Sequence, residues 1–205
     1  MTKYFPSLKH FNIPNLITTF GMVLGIFACY FLTQRDLRMA IIFLFLAGVM
    51  DVVDGFVAAK LNQVSDFGRY LDSFVDFFTC IIIPIWMVHD VLGEYPLYPL
   101  VVAGLIVYCM CGLWRLSYYN IGDAGKFFTG LPVPGSMMLV TIAIWCVVMY
   151  GIPIWVSALT FFVVGALMIS GIKLPKYGIW QKVMAGIGVA FLVLVVASDF
   201  ISTAY

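Results

Sequence analysis

Seven long apolar stretches, separated by short polar breaks, set the first expectation for this chain. They run over roughly residues 14–33, 37–60, 67–89, 97–119, 132–150, 154–172 and 183–203. A helix of about 18 or more apolar residues crosses the hydrocarbon core of a bilayer. The breaks carry turn residues: TQRD, NQVSD, DVLGEYP, NIGDAGKFFTG, GIP and KLPKYGIWQK. The pattern predicts an all-α integral membrane protein, a polytopic helical bundle of about seven spans. No low-complexity tract, soluble domain or repeat interrupts it, so residues 1–205 read as one transmembrane domain. The joint GIP is the least marked break, and fusing or splitting a span there would change the count.

Composition agrees with that class. The 205 residues are 63% hydrophobic and 10% charged, with mean hydropathy +1.06. Soluble domains lie near 45–50% apolar and about 25% charged. The start, MTKYFPSLKHFNIPN, is too polar for a cleavable leader. Residues 1–13 instead suit a short interfacial segment, or the basic flank of the first span. Cys29, Cys80, Cys109, Cys111 and Cys146 sit inside apolar runs without zinc spacing, and read as reduced packing residues.

The net charge of +1 is uninformative, and nothing points to nucleic acid, but the placement of charge is informative. With a cytoplasmic N-terminus, Lys3, Lys9, Lys60, Arg69, Arg115, Lys126, Lys173, Lys176 and Lys182 share one side. Arg35 and Arg38 alone take the other, with the acidic loop of Asp90 and Glu94. The excess of Lys and Arg marks the cytoplasmic side, and seven spans put the C-terminus outside.

Against this background one stretch stands out: MDVVDGFVAAKLNQVSDFGRYLDSFVDFF, residues 50–78. Asp51 and Asp54 are three apart, about 60° around a helix; Asp72 and Asp76 are four apart, about 40°. Each pair lies on one face of its own span. A hairpin turn centred near residue 63 sets Asp51 opposite Asp76 and Asp54 opposite Asp72. Four carboxylates then converge near the cytoplasmic interface. Ionised and unaccompanied, they would repel strongly at low dielectric. No Lys or Arg set lies on the same faces, so divalent cations are the expected counter-charge. An all-oxygen site suits Mg²⁺, Mn²⁺ or Ca²⁺ and not zinc. Four carboxylates hold two such ions, an arrangement that serves phosphoryl chemistry. A proton-bearing or ion-conducting cluster is the competing reading. The interleaved Gly55, Ala58, Ala59 and Gly68 leave room beside the acidic faces for a phosphate-bearing ligand. Small residues also serve close helix packing, which suffices for Gly21 and Gly25.

These residues resemble a known family. The pattern D-x-x-D-G-x-x-A-R, a spacer, then G-x-x-x-D-x-x-x-D marks the CDP-alcohol phosphotransferases. Here it reads DVVDGFVAA, KLNQVSDF, GRYLDSFVD, with Asp51, Asp54, Gly55, Ala58, Gly68, Asp72 and Asp76 in place. The departure is Ala59, where the family carries Arg; Lys60 comes one residue late. IPNLITTFG (13–21) is similar to the family's first-helix P-N-x-x-T stretch. The resemblance implies a six-helix core, usually dimeric, and two divalent cations, Mg²⁺ or Mn²⁺, held by Asp51, Asp54, Asp72 and Asp76. It implies Asp76 as the catalytic base, and Gly55, Ala58, Ser65, Asp66 and Gly68 on the nucleotide side. Residues 14–120 would then supply the metal- and nucleotide-binding helices, and 121–205 the rest of the bundle. The implied donor is a CDP-linked lipid or alcohol, with CMP displaced.

The acceptor rests on a second resemblance. LWRLSYYN (113–120) and KFFTGLPVPGS (126–136) look like the phosphatidylserine synthase branch, though Ser117 and Tyr118 stand where a second Arg is expected. LDSFVDFFTCIIIP (71–84) is also similar to phosphatidylcholine synthases. Serine is favoured as acceptor; choline, glycerol phosphate and inositol phosphate stay open. Arg69, Arg115, Asn120 and Lys126 are the candidates for the acceptor or a lipid phosphate. Asp66 is expected either to cap the third span or to touch the nucleotide. Pro132 and Pro134 are expected to break the start of the fifth span. An intramembrane prenyltransferase also uses paired aspartates with Mg²⁺, but lacks the D-G-x-x-A step. A cation transporter needs acidic groups along a path through the bilayer, and here they share one depth.

Overall fold

A computed structural model describes residues 6–121, 127–175 and 179–202. After a 3₁₀ turn at Pro6–His10, seven helical segments come in order. They are α1 (Ile13–Thr33), α2 (Leu37–Lys60), α3 (Asp66–Leu92), α4 (Tyr98–Ile121), α5 (Val133–Tyr150), α6 (Trp155–Met168) and α7 (Ile179–Ser202). Within α3, Phe77–Ile82 form a wider π turn. Helices α1 to α5 are each long and apolar enough to cross a membrane. At about 1.5 Å per residue, the 27 residues of α3 span about 40 Å, more than the hydrocarbon core of about 30 Å. The all-α expectation holds, with one addition. Phe127–Thr129 (β1) pairs antiparallel with Lys173–Pro175 (β2) as a small ribbon.

Helix ends show why the segments begin and stop where they do. Asn12 caps α1 by accepting the Asn15 N–H at 2.9 Å, with Pro14 in the first turn. Asp36 caps α2 through the Met39 N–H at 3.0 Å. The α2–α3 turn bends at Asn62, which takes φ 53, a conformation Asn tolerates well after a helix C-terminus. Gln63 N–H then bonds back to Ala58 O at 2.9 Å. The cap of α3 is Ser65, whose hydroxyl accepts the Gly68 N–H at 3.1 Å. Asp66 is therefore not the cap; it lies in the first turn, paired with Arg69.

Two other expectations shift, and the least marked break holds. Pro132 and Pro134 do not break α5 but start it: Pro132 is its N-cap and Pro134 sits in the first turn, where a missing N–H costs nothing. The joint GIP is a true break, with Gly151 at φ 63 after α5. The sixth span ends at Met168 rather than near 172, because the chain leaves to form the ribbon. There Gly130 N–H bonds Ile172 O (2.8 Å) and Leu131 N–H bonds Leu167 O (3.0 Å). The GLP segment thus supplies a donor that the end of α6 lacks.

The core lies where α3, α4, α5 and α6 converge on α1 and α2. Tyr108, Trp145, Phe161, Ile81 and Met87 are fully buried there. Close approach depends on small residues. A Cβ on Gly25 would lie 2.8 Å from Thr79 Cγ2, and one on Gly21 would lie 3.4 Å from Met50 Cβ. Both glycines therefore serve helix packing, as read from the sequence. At the end opposite the α2–α3 turn, Arg35 pairs with Asp90 at 3.2 Å.

Gly130 is the most constrained position of the ribbon. It has φ 75, and a Cβ there would fall on the Met168 carbonyl oxygen. Gly130→Ala is expected to destabilise the protein by about 1–3 kcal/mol. Gly171→Ala, where a Cβ meets nothing within 4 Å, is expected to be neutral. Thermal unfolding of both in detergent checks the contrast; equal melting temperatures would remove the constraint.

Candidate active site

The α2–α3 hairpin brings the acidic faces together as the spacing required. Asp51, Asp72 and Asp76 each offer a carboxylate oxygen, and these oxygens lie within 4.8 Å of one another. Asp76 is 8% exposed; Asp51 and Asp72 are half-buried. Asp51 thus meets both Asp76, set opposite it by the spacing, and Asp72.

Asp54 departs from the expectation that all four meet. It is 6% exposed and turned to α1, where the Thr18 hydroxyl donates to its Oδ2. Thr18 also reaches Pro14 O at 3.1 Å. The reason is geometric: Asp54 lies almost a turn beyond Asp51, and α1 packs along that side of α2. A carboxylate has several acceptor positions, so the bond to Thr18 does not remove Asp54 as a ligand.

Charge balance is the next question. Among the described residues, Arg35–Asp90 and Arg69–Asp66 are ion pairs, and neither involves the cluster. Three oxygen donors at this separation, without a bonded cation, fit a hard divalent ion. A positive charge reaches the cluster from Arg115 of α4, which interacts electrostatically with Asp76. Arg115 is only 6% exposed, and its buried Nε has no hydrogen-bond partner. Its guanidinium lies 5.7 Å from the centre of the Tyr119 ring. A buried, incompletely bonded guanidinium beside carboxylates is a ready partner for an anionic group.

The other sequence candidates separate into two groups. Asn120 stands at this site: its Nδ2 donates to Ser73 Oγ at 2.9 Å, joining α4 to α3 between Asp72 and Asp76. Its Oδ1 is buried without a partner. Gly55 faces open space, with nothing within 4 Å of an added Cβ, and Ala58 beside it is half-buried. Gly68 is small for a different reason. A Cβ there would meet Asn15 Oδ1 at 3.0 Å and Ser65 Oγ at 3.2 Å. Ser65 and Asp66 lie at the mouth of the hairpin, where Asp66 holds Arg69. Lys126 lies outside the described residues.

Thr18, Asn15, Ser73 and Tyr119 were not singled out from the sequence. Thr18 and Asn15 fall inside IPNLITTFG, so the stretch was marked but not their bonds. His10 stacks on Phe67 with ring centres 4.4 Å apart, and Asn15 Nδ2 donates to His10 O at 2.7 Å. The segment before α1 is thus pinned to the start of α3, at the end that carries the carboxylates.

With this geometry in view, comparisons with known proteins decide the family. The family model described as CDP-alcohol phosphatidyltransferase matches residues 11–169. The chain belongs to this family. The match takes in α1 to α6 and stops before α7. The CDP-diacylglycerol–serine O-phosphatidyltransferase of Bacillus subtilis is 33% identical over 169 residues, covering 80% of this chain and 90% of the relative. Its namesake in Methanocaldococcus jannaschii is 30% identical, covering 82% of this chain and 76% of the relative. The archaetidylserine synthase of Methanothermobacter thermautotrophicus is 29% identical, covering 80% and 70%. The prenyltransferase and transporter readings fall away with the family match.

The cluster carries its own test. Asp51→Asn and Asp72→Asn should each weaken Mn²⁺ binding by at least about tenfold, a loss seen even for groups behind a metal ligand. Free Mn²⁺ measured by electron paramagnetic resonance reads this without turnover. Unchanged binding in both variants would remove the cluster as a cation site.

Proposed function

We propose that this family member transfers a phosphatidyl group from CDP-diacylglycerol to the hydroxyl of L-serine, giving phosphatidylserine and CMP. The observation that carries the reading is the convergence of Asp51, Asp72 and Asp76 beside the buried Arg115. The serine-linked names of three relatives support the acceptor.

Asp51, Asp54, Asp72 and Asp76 would hold two divalent cations, Mg²⁺ or Mn²⁺. Bound there, the ions would neutralise the diphosphate and the departing CMP. The chain's own residues do the rest. Asp76, buried and placed on α3, accepts the proton of the acceptor hydroxyl. The hydroxyl oxygen bonds to the β-phosphorus, the bond from that phosphorus to the CMP oxygen breaks, and CMP leaves with the electron pair. Arg115 pairs with the serine carboxylate and Asn120 borders it. Gly55 and Ala58 leave room for the nucleotide, with Ser65, Asp66 and Gly68 at the hairpin and Arg69 at a lipid phosphate. Low dielectric strengthens each of these pairings.

The assay is CMP release from CDP-diacylglycerol by purified protein with Mn²⁺ or Mg²⁺. Serine-dependent release is expected, with choline, glycerol 3-phosphate and inositol phosphate inactive; release that ignores serine retires the acceptor. Asp76→Asn should lower kcat by about 10²–10⁴-fold, the usual worth of a general base. It should cost CDP-lipid binding far less than turnover, and full activity would sink the base assignment. Arg115→Lys should raise the KM for serine by about tenfold or more, since hydrogen bonds to charge are worth about 1.5–3 kcal/mol.

The excess of Lys and Arg supports placing the carboxylate end in the cytoplasm of a prokaryotic cell, within its inner membrane. In intact cells, a membrane-impermeant maleimide should label Glu94→Cys but reach Gln63→Cys only after permeabilisation. The reverse pattern would invert the topology. The working unit is taken as a homodimer, as the family resemblance implies; a monomer mass for active protein in nanodiscs would refute it.

A further inference from the structure

The π turn in α3 begins one residue after Asp76 and has an identifiable cause. In an α-helix, Cys80 O would accept from the N–H of residue 84, and that residue is Pro84, which has none. The backbone widens ahead of it, and Ile83 N–H bonds Phe78 O, five residues back. Where the register changes from π back to α inside a membrane bundle, carbonyls gain from a further donor. The Tyr108 hydroxyl of α4 supplies it at 2.8 Å from Cys80 O. Tyr108 is fully buried, packed edge-on against Phe161, with ring centres 5.7 Å apart. Ser136 Oγ, also fully buried, lies 3.3 Å from the phenol oxygen and gives its own proton to Val133 O at 2.6 Å. Gly112, one turn along α4, lets Ile81 of the π turn settle: a Cβ there would lie 2.5 Å from Ile81 Cδ1.

A π turn holds one residue more than an α turn over the same rise. It therefore resets the rotation of the N-terminal half of α3 relative to the C-terminal half. The first half carries Asp72 and Asp76; the second carries Ile83, Met87, Val88 and Leu92, all fully buried in the core. The turn lets the second half of α3 pack as a core helix while the first half presents its carboxylates.

We propose that Tyr108 is a positioning residue. Its hydroxyl, donated to Cys80 O inside the π turn, holds the turn that aims Asp76, and it acts on the reaction only through that carboxylate. Ser136 of α5 spends its proton on Val133 O and only packs against the phenol oxygen, so the bond itself ties α4 to α3. The inference rests on the reading of Asp76 as the base.

The test is a double-mutant cycle between Tyr108→Phe and Pro84→Ala, scored by CMP release. Tyr108→Phe keeps the ring and removes one oxygen. It should lower kcat by about tenfold to a hundredfold, as misplacement by about 1 Å does. The KM values for CDP-diacylglycerol and serine should stay within about twofold. Pro84→Ala restores the donor to Cys80 O and should also lower kcat, by relaxing the turn. In that background Tyr108→Phe should cost little further, because the carbonyl no longer depends on it. Unchanged kcat in Tyr108→Phe, or an equal loss in both backgrounds, overturns the proposal. If Tyr108→Phe fails to fold, Pro84→Ala decides alone: lowered kcat with KM values held supports it, and unchanged kcat refutes it. Asp76→Asn run alongside separates the two claims. Full activity there removes the base assignment, whereas an inactive Asp76→Asn with a normal Tyr108→Phe removes only this inference.

Discussion

Mutual repulsion among carboxylates is the constraint on which the rest of the structure depends. Three oxygens within 4.8 Å repel by about 3 kcal/mol per ionised pair at an effective dielectric of about 20. A bundle that is 63% hydrophobic offers little water to weaken this. The arrangement makes sense only if positive charge arrives with function. That explains why no Lys or Arg is bonded into the cluster among the described residues: a permanent internal counter-ion would occupy the position a ligand needs. Arg115 fits the same logic. It is close enough to act on Asp76, yet its Nε is left without a bond.

Around the cluster, the backbone ends that a membrane would penalise find partners. Helix starts are capped by Asn12, Asp36 and Ser65, and the end of α6 takes a donor from Leu131. Cys80 O inside the π turn takes one from Tyr108. In hydrocarbon an unpaired polar group is expensive, so such partners are expected throughout. Among the described residues, the buried side-chain atoms without a partner are Arg115 Nε and Asn120 Oδ1 on the carboxylate-facing end of α4, and Thr141 Oγ1 and Trp145 Nε1 in α5.

Much of this was legible in the sequence because its signals are coarse and local. Apolar run length placed all seven helical segments, and the Asp spacing placed both acidic faces. The turn near residue 63 then came from its composition. What was not legible depends on contacts between distant elements. Spacing puts Asp54 on the acidic face of α2, but it cannot reveal that Thr18 on α1 donates to it. Asp66 was a candidate cap, but Ser65 precedes it and reaches the Gly68 N–H. Gly68 was read as space for a ligand, whereas Asn15 and Ser65 crowd it. The ribbon joins residues more than forty apart, and three-residue strands carry no periodic signal. Pro84 was visible as a punctuation mark inside a span. Its consequence, a π turn answered by a tyrosine on another helix, needed the packing.

The same electrostatics bear on the acceptor. In the proposed role of Arg115, a buried guanidinium would discriminate between acceptors by charge. Choline would set a second cation against Arg115, and choline has no anionic group to offer in return. Glycerol phosphate and inositol phosphate would bring close to two negative charges next to the carboxylates. One guanidinium balances only half of that, and the second Arg found in the resembling segment is replaced here by Ser117 and Tyr118. A serine carboxylate brings one negative charge and two oxygens, which matches the fork of one Arg. If Arg115 meets the acceptor as proposed, one buried guanidinium favours an acceptor that offers a single carboxylate, on the same grounds that the aspartates require cations: in this bundle, a charge is tolerated only where its partner is expected.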